Sequence, residues 1–439
     1  MENSKYFSSR WGFILACVGS AVGMANVWGF PYRMGSMGGS AFLIAYLIFV
    51  VLFSIVGLSA EYAIGRRTGT GTLGSYEYAW KKRGLNKTGR LIGWIPLIGS
   101  FCIALGYSVI VAYCLKALVQ TLTGTLMTVD TDTWFKSFSL KSYSVVYYHL
   151  IIILLVMFSL RVGPDGIEKS NKILMPLFFI LFCILAVRVL FLMGSGEGYE
   201  FMFRPELKDL KDPKVWIFAM GQAFFSLSVT GSGMIVYGAY LPKGEDVVNS
   251  SVSTAFFDTI AAIVSAIVII PACFAYSVDV GSGPGLLFVT LPEILQNIFM
   301  GRIFAILLFM AVVFGGISSL QNMFEVVIES LLYRFPKLKR GPLLVGLVVL
   351  LFGISVNMEA ISSWGPWMDL ISIYIIPIGA VIGAVSWFYI LPKEELLDEI
   401  NDNGKEKKYT SLWHNIGRFV YVPLAVILCA IALIKGVSF

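Results

Sequence analysis

Gly19-Ser20-Ala21-Val22-Gly23-Met24-Ala25-Asn26-Val27-Trp28-Gly29-Phe30-Pro31 is the stretch on which the reading of this chain turns. It continues the apolar run Trp11-Gly12-Phe13-Ile14-Leu15-Ala16-Cys17-Val18, which starts near Arg10 as a membrane-spanning helix does. A plain anchor would go on with Leu and Val. Here three Gly, a Ser and an Asn fall at mid-membrane depth, followed by Pro31. Gly is a weak helix former and Pro removes a backbone donor. A helix broken in hydrocarbon strands N–H and C=O groups, which is tolerated where the break lines a cavity; the freed groups then serve ions or a substrate. A tightly packed Gly/Ala/Ser helix face uses the same residues, and this stretch alone does not separate the two.

The surroundings make the membrane reading firm. Of 439 residues, 57% are hydrophobic and 14% charged, too apolar for a soluble domain. The runs are long and continuous, unlike the short alternating segments of a β-barrel. Cys17, Cys102, Cys114, Cys183, Cys273 and Cys429 all sit within apolar runs without paired spacing, so neither a disulfide framework nor a zinc site is expected. The net charge of +6 gives no reason to invoke nucleic acid, since the basic residues cluster in loops. No cleavable signal peptide is expected at the polar N-terminus.

The pattern predicts an all-α polytopic protein of eleven transmembrane helices. The expected spans are about Arg10–Met34, Ala41–Gly65, Leu91–Leu122, Tyr143–Leu160, Gly166–Met193, Pro213–Leu241, Val247–Val278, Arg302–Tyr333, Pro342–Val356, Pro366–Leu391 and Trp413–Ile434. Gly194–Asp212 reads as a polar connection, and Leu286–Leu295 as a re-entrant or surface hairpin too short to span. Arg66, Arg67, Lys81, Lys82, Arg83, Lys87 and Arg90 join spans two and three. Arg334, Lys337, Lys339 and Arg340 join spans eight and nine, and Lys405, Lys407 and Lys408 precede span eleven. Basic loops face the cytoplasm, so the N-terminus is expected inside and the C-terminus outside a plasma (inner) membrane.

Span six repeats the anomaly of span one: Phe224-Phe225-Ser226-Leu227-Ser228-Val229-Thr230-Gly231-Ser232-Gly233 interrupts an apolar run with small and polar residues. Two broken helices in corresponding positions, five spans apart, point to an inverted-repeat transporter with a midplane site. The pairing favours transport over tight packing.

At this point the residues resemble the neurotransmitter:sodium symporter family, which has the leucine-transporter fold. The resemblance runs from about Arg10 to Leu391. It is carried by residues 19–31 and supported by Gly38-Gly39-Ser40-Ala41-Phe42, Glu61-Tyr62-Ala63-Ile64-Gly65-Arg66, Gly221-Gln222-Ala223-Phe224-Phe225-Ser226-Leu227-Ser228 and Gly315-Gly316-Ile317-Ser318-Ser319. It implies a 5+5 inverted repeat, about 10–194 and 213–391, plus an additional helix at about 413–434. Helices 1 and 6 are unwound at the midplane, and spans one, two, six and seven form a bundle. Many members have twelve spans; eleven resembles the bacterial branch that includes transporters of tyrosine and other bulky hydrophobic amino acids.

The resemblance implies two Na⁺ sites. For the first, the matching positions are the Ala21 carbonyl, Asn26, Ser226 and Asp258. Asp258 stands where the family often has Asn. An acid at this depth costs about 2.5–3.5 kcal/mol on insertion scales and is a functional candidate by default. A fixed carboxylate there could replace the anion of chloride-dependent relatives, so chloride-independent transport is expected; a protonated, structural Asp258 is the plain alternative. For the second site the matches are the Gly19, Val22 and Gly315 carbonyls with the Ser318 and Ser319 hydroxyls, whose alternative is back-bonding to their own helix.

The resemblance also implies a zwitterionic amino acid substrate. Its carboxylate would meet the Met24 and Ala25 amides, Tyr107 and the first Na⁺. Its amine would meet carbonyls at Ala21, Phe225 and Ser226, with Ser228 nearby. Its side chain would lie among Ile103, Phe225, Gly231, Ser319 and Met323. Some relatives carry Phe at the Gly231 position. The absent ring favours an aromatic substrate, tyrosine first, unless Gly231 serves only to let the backbone unwind.

The gates depart from the family. Gly29 stands where an outer-gate Arg is usual, while Asp369 matches its acidic partner. Arg33, four residues on and so on the same helix face, is the candidate replacement, or else a snorkelling interfacial arginine. At the inner gate the family's Trp is Phe7, no N-terminal Arg matches although Lys5 is near, and Glu325 and Glu329 are unassigned acids. Gly166 and Pro176, nine residues apart, resemble a signal for an unwinding segment in span five; a simple Pro kink is the alternative. An enzyme is not expected: His149 and His414 lack visible partners, and no nucleophile or metal spacing is present. The rivals that remain are an amino-acid sensor without transport, and proton coupling through Asp258.

Overall fold

In hydrocarbon a chain satisfies its backbone locally by coiling, so the long apolar runs fold as helices. The computed structural model describes residues 6–205, 208–281, 285–402 and 408–437, and all regular structure among these is helical. Lys5, Lys405 and Lys407 lie outside the described residues.

α1 (Arg10–Ala21) starts at Ser9, whose hydroxyl accepts the Gly12 amide at 3.1 Å. α2 (Ala25–Ser36) leaves it at 57°. Then follow α3 (Ser40–Thr68), the short α4 (Thr72–Lys81) and the long α5 (Asn86–Thr123). α6 (Thr131–Ser139) is capped by Asp130, α7 is Val146–Leu160, and α8 is Pro164–Leu190. α9 (Ser195–Phe203) lies in the polar connection. α10 (Pro213–Ser226) opens on an Asp212 cap with Pro at its first position, and after a break comes α11 (Gly233–Ala239). α12 (Val247–Ala275) is capped by Asp246. α13 (Leu286–Gln296) is the expected short hairpin element, and α14 is Gly301–Arg334. The chain ends with α15 (Arg340–Met358), α16 (Ile361–Ile390), the short α17 (Lys393–Ile400) and α18 (Ser411–Lys435).

Among the described residues eight helices are each long and apolar enough to cross a bilayer, and α1 with α2 make a further, bent span. α7 is apolar with 15 residues, and α10 and α11 flank a break. Counting these as spans accommodates the eleven expected. Several boundaries differ from the sequence reading by a few residues, two of them with a visible cause. Tyr143 adopts left-handed φ of 57°, so α7 starts only at Val146. α16 begins at Ile361, with Pro366 inside it. The Trp364 and Trp367 indoles, donating to the Gly106 and Cys102 carbonyls at 2.8 and 2.9 Å, hold that first stretch against α5.

α3, α10, α11 and α12 pack around α1 and α2, while α5, α8 and α14 form the wall opposite. Two buried ionisable groups inside this packing have found partners, as burial demands. Arg66 meets Glu399 at 2.5 Å and the Glu245 and Glu399 carbonyls, both at 2.6 Å. His149, expected to lack a partner, has Nδ1 at 3.2 Å from Glu359 Oε1; the two lie 210 residues apart, so sequence spacing could not pair them.

Candidate functional site

The first break falls at Val22, which turns extended (ψ 112°) and ends α1. Beyond it the Met24 amide donates to the Tyr107 hydroxyl at 2.9 Å, and the Gly23 amide to Asn26 Oδ1 at 3.2 Å. Gly23 is obligatory here, because a Cβ would strike the Tyr107 hydroxyl and Ser319 Oγ. The second break spans residues 227–232, with positive φ at Ser228 (52°) and Gly231 (78°). Side chains from other helices hold it open. Glu61 Oε1 accepts the Gly231 amide at 2.8 Å, the Tyr76 hydroxyl donates to the Gly231 carbonyl at 3.0 Å, and Asn322 Nδ2 donates to the Gly233 carbonyl at 3.0 Å. The sequence reading did not single out these three for a role; the available signal was Glu61, an acid in mid-span.

Between the breaks lies a cavity. Ala21, Ala25, Ile103, Tyr107, Phe225, Ser228, Ser319 and Met323 are among the residues that line it. Tyr107 and Phe225 also line a second, outer cavity of about 1260 Å³, together with Met24, so these two rings form the wall between compartments. Gly231 is not part of the inner lining. A Cβ there would meet the Gly379 carbonyl and the Tyr76 hydroxyl, away from the cavity, so the substrate-size argument from a missing ring does not hold.

Two oxygen clusters flank the inner cavity. In the first, Asn26 Nδ2 donates to Asp258 Oδ1 at 2.7 Å and the Ser226 hydroxyl donates to Asp258 Oδ2 at 2.6 Å; all three are buried. In the second, Ser319 Oγ donates to the Val22 carbonyl at 3.0 Å, with the Gly19 carbonyl at 3.4 Å. Gly315 faces the same Val22 oxygen. Ser318 donates to Asn171 on α8. Both hydroxyls thus reach out of α14 rather than back onto it. Carbonyls, hydroxyls, an amide and a carboxylate, without thiols, are the donor set of a hard cation.

Arg33 and Asp369 both face the outer cavity, but among the described residues Arg33 pairs with no carboxylate and its Nη1 is buried without a partner. The expected Arg33–Asp369 contact is therefore not formed in this state. Gln222 fills the space beside Gly29 and donates to the Ala25 carbonyl at 3.1 Å. On the inner side Phe7 packs against Tyr237 and Tyr240 at 5.7 and 5.8 Å. Of the two unassigned acids, Glu325 accepts from the Tyr240 hydroxyl at 2.5 Å and from Arg340 at 2.6 and 3.0 Å. Among the described residues its basic partner is Arg340, at the start of α15. Glu168 on α8 receives the Ser8 amide at 2.6 Å and so ties that segment down. The stretch from Gly166 to Pro176 is continuous helix; the expected unwinding is not seen, and Pro176 sits as an ordinary helix-interior proline.

The profile of the sodium:neurotransmitter symporter family matches residues 4–140 and 131–438. The sodium-dependent transporter YhdH of Bacillus subtilis (strain 168) is 30% identical over 99% of this chain and 98% of its own. The sodium-dependent neutral amino acid transporter B(0)AT2 of Bos taurus is 29% identical over 60% of this chain and 40% of its own. A crystal structure of MhsT in complex with L-phenylalanine superposes with a TM-score of 0.86 at 31% identity, covering 98% of this chain and 99% of that one.

Proposed function

The chain belongs to the sodium:neurotransmitter symporter family, and from that premise we propose that it is a sodium-coupled symporter of a bulky hydrophobic amino acid, working by alternating access without chloride. The observation that carries this reading is the cavity between two helix breaks, with the Tyr107 hydroxyl on the Met24 amide at one end and Asp258 beside Asn26 and Ser226 close by. An amino acid fits it by charge. Its carboxylate goes to the Met24–Ala25 amides and Tyr107, at the positive end of α2. Its amine goes to carbonyls of the two breaks, and its side chain toward Ile103, Phe225 and Met323. Tyrosine remains the first candidate; the L-phenylalanine held by MhsT supports an aromatic occupant.

Two Na⁺ ions are proposed as co-substrates. One takes Ala21, Asn26, Ser226 and Asp258, and the other Gly19, Val22, Gly315, Ser318 and Ser319. The two halves of the chain rock about this centre, with the N-terminus cytoplasmic and the C-terminus outside. Arg33 and Asp369 approach one another when the outer cavity closes. Proteoliposomes with an inward sodium gradient, screened against the twenty amino acids, test the proposal. Accumulation of aromatic or large aliphatic substrates that stops when choline replaces sodium is the expected result; saturable binding without accumulation would leave a sensor. The buried Asp258 supports a second reading, proton coupling, for which uptake persists in choline and follows a pH gradient instead.

A further inference from the structure

Asn171 carries no expected role, yet it ends a hydrogen-bond chain with only one possible direction. The Ser159 hydroxyl gives its proton to the Val156 carbonyl at 2.6 Å, and Ser170 gives its own to the Gly166 carbonyl at 2.8 Å. Both oxygens are then acceptors, and Gln321 Nε2 donates to each at 2.8 Å. The Ile167 carbonyl can only accept, so the Asn171 amide atom 2.9 Å from it is Nδ2, and that same Nδ2 donates to Gln321 Oε1 at 2.9 Å. With its amide nitrogen so committed, Asn171 can present only Oδ1 to Ser318, and it takes the Ser318 proton. Asn171, Gln321 and Ser318 are without solvent exposure. A Cβ at Gly19 would collide with both Ser318 Oγ and Asn171 Oδ1, so α1 approaches this pair closely.

We propose that Asn171 is a positioning residue for the inner cation: by drawing the Ser318 proton toward α8 it leaves the Ser318 oxygen only lone pairs to offer on the side of the Gly19 and Val22 carbonyls. A hydroxyl free to rotate points its proton at a cation part of the time, and one with its proton tied back does not. This rests on the assignment of Ser318 to the second sodium site.

The test is a sodium titration of the whole protein in detergent, read as the concentration that gives half of the thermal stabilisation, for Asn171→Leu, Ser318→Ala and the double variant. Asn171→Leu is expected to raise that concentration about tenfold, in line with loss of one buried hydrogen bond. In the Ser318→Ala background it is expected to add nothing, because the two act as one unit. Asn171→Asp, which keeps an acceptor for the Ser318 proton, should stay within about twofold of the native value; it also serves if the Leu variant does not fold. An unchanged titration in Asn171→Leu alongside a shift in Ser318→Ala overturns the inference alone. Additive shifts in the double variant, or an Asp variant as weak as Ser318→Ala, overturn it too. No shift in Ser318→Ala removes the sodium-site assignment and this inference together.

Discussion

Asn26 and Asp258 meet at 2.7 Å in an interior that neither residue shares with solvent, one just past the break after α1 and the other in the middle of α12. A carboxylate so placed supplies fixed negative charge beside the proposed first cation. Replacing chloride with gluconate is therefore expected to leave uptake unchanged. Asp258→Asn should raise the sodium concentration for half-maximal uptake at least tenfold, as expected for loss of a charged hydrogen-bond acceptor worth about 1.5–3 kcal/mol. A chloride requirement in the native protein would refute the charge-substitution argument.

The Tyr107 hydroxyl receives the Met24 amide at 2.9 Å. Tyr107→Phe leaves that amide unpaired and removes a donor for the substrate carboxylate. An approximately tenfold rise in the Michaelis constant is expected, from about 1–2 kcal/mol of lost interaction. Maximal uptake should change far less. Radiolabelled uptake in proteoliposomes measures both quantities.

Gly231 combines a φ of 78° with a backbone carbonyl, Gly379 O, in the path of any side chain. Gly231→Ala is expected to lower unfolding stability by about 1–3 kcal/mol through strain and displacement of α16. Substrate selectivity should stay unaltered among whatever molecules fold. Thermal unfolding in detergent and competition by tyrosine, leucine and alanine separate these effects; a selectivity change without a stability loss would return Gly231 to the substrate pocket.

Glu395 on α17 accepts from Lys82 at 2.5 Å, the Tyr78 hydroxyl at 2.6 Å and Arg67 at 2.7 Å. Partial burial pushes its pKa up, but these three donors outweigh that and hold it at about 2, below the ordinary 4.5. A group whose folded value is depressed contributes stability above its unfolded pKa and loses it as pH falls toward the folded one. Glu395→Gln should thus melt earlier than the native protein at neutral pH. The gap should narrow as pH drops from about 4.5 toward about 2. A gap that stays constant across melting curves taken down to about pH 3 would show that the ring of donors does not act through the charge.

Much of this was legible in residue order alone. Apolar run lengths set the helices, because a bilayer enforces coiling over a fixed thickness. The Gly, Ser and Asn of residues 19–26 and the small polar residues of 226–233 marked both breaks once taken together, since two interrupted spans in corresponding positions point to a midplane site rather than to a packed helix face. Asn26, Ser226, Ser318 and Ser319 were singled out through the family resemblance. Choice of partner was not legible. Glu61 with Gly231, Ser318 with Asn171, His149 with Glu359 and Glu325 with Arg340 join different helices, and the first three pairs are 170, 147 and 210 residues apart. Sequence limits which groups must find partners once water is gone; only the packing of helices past one another decides which groups come within reach.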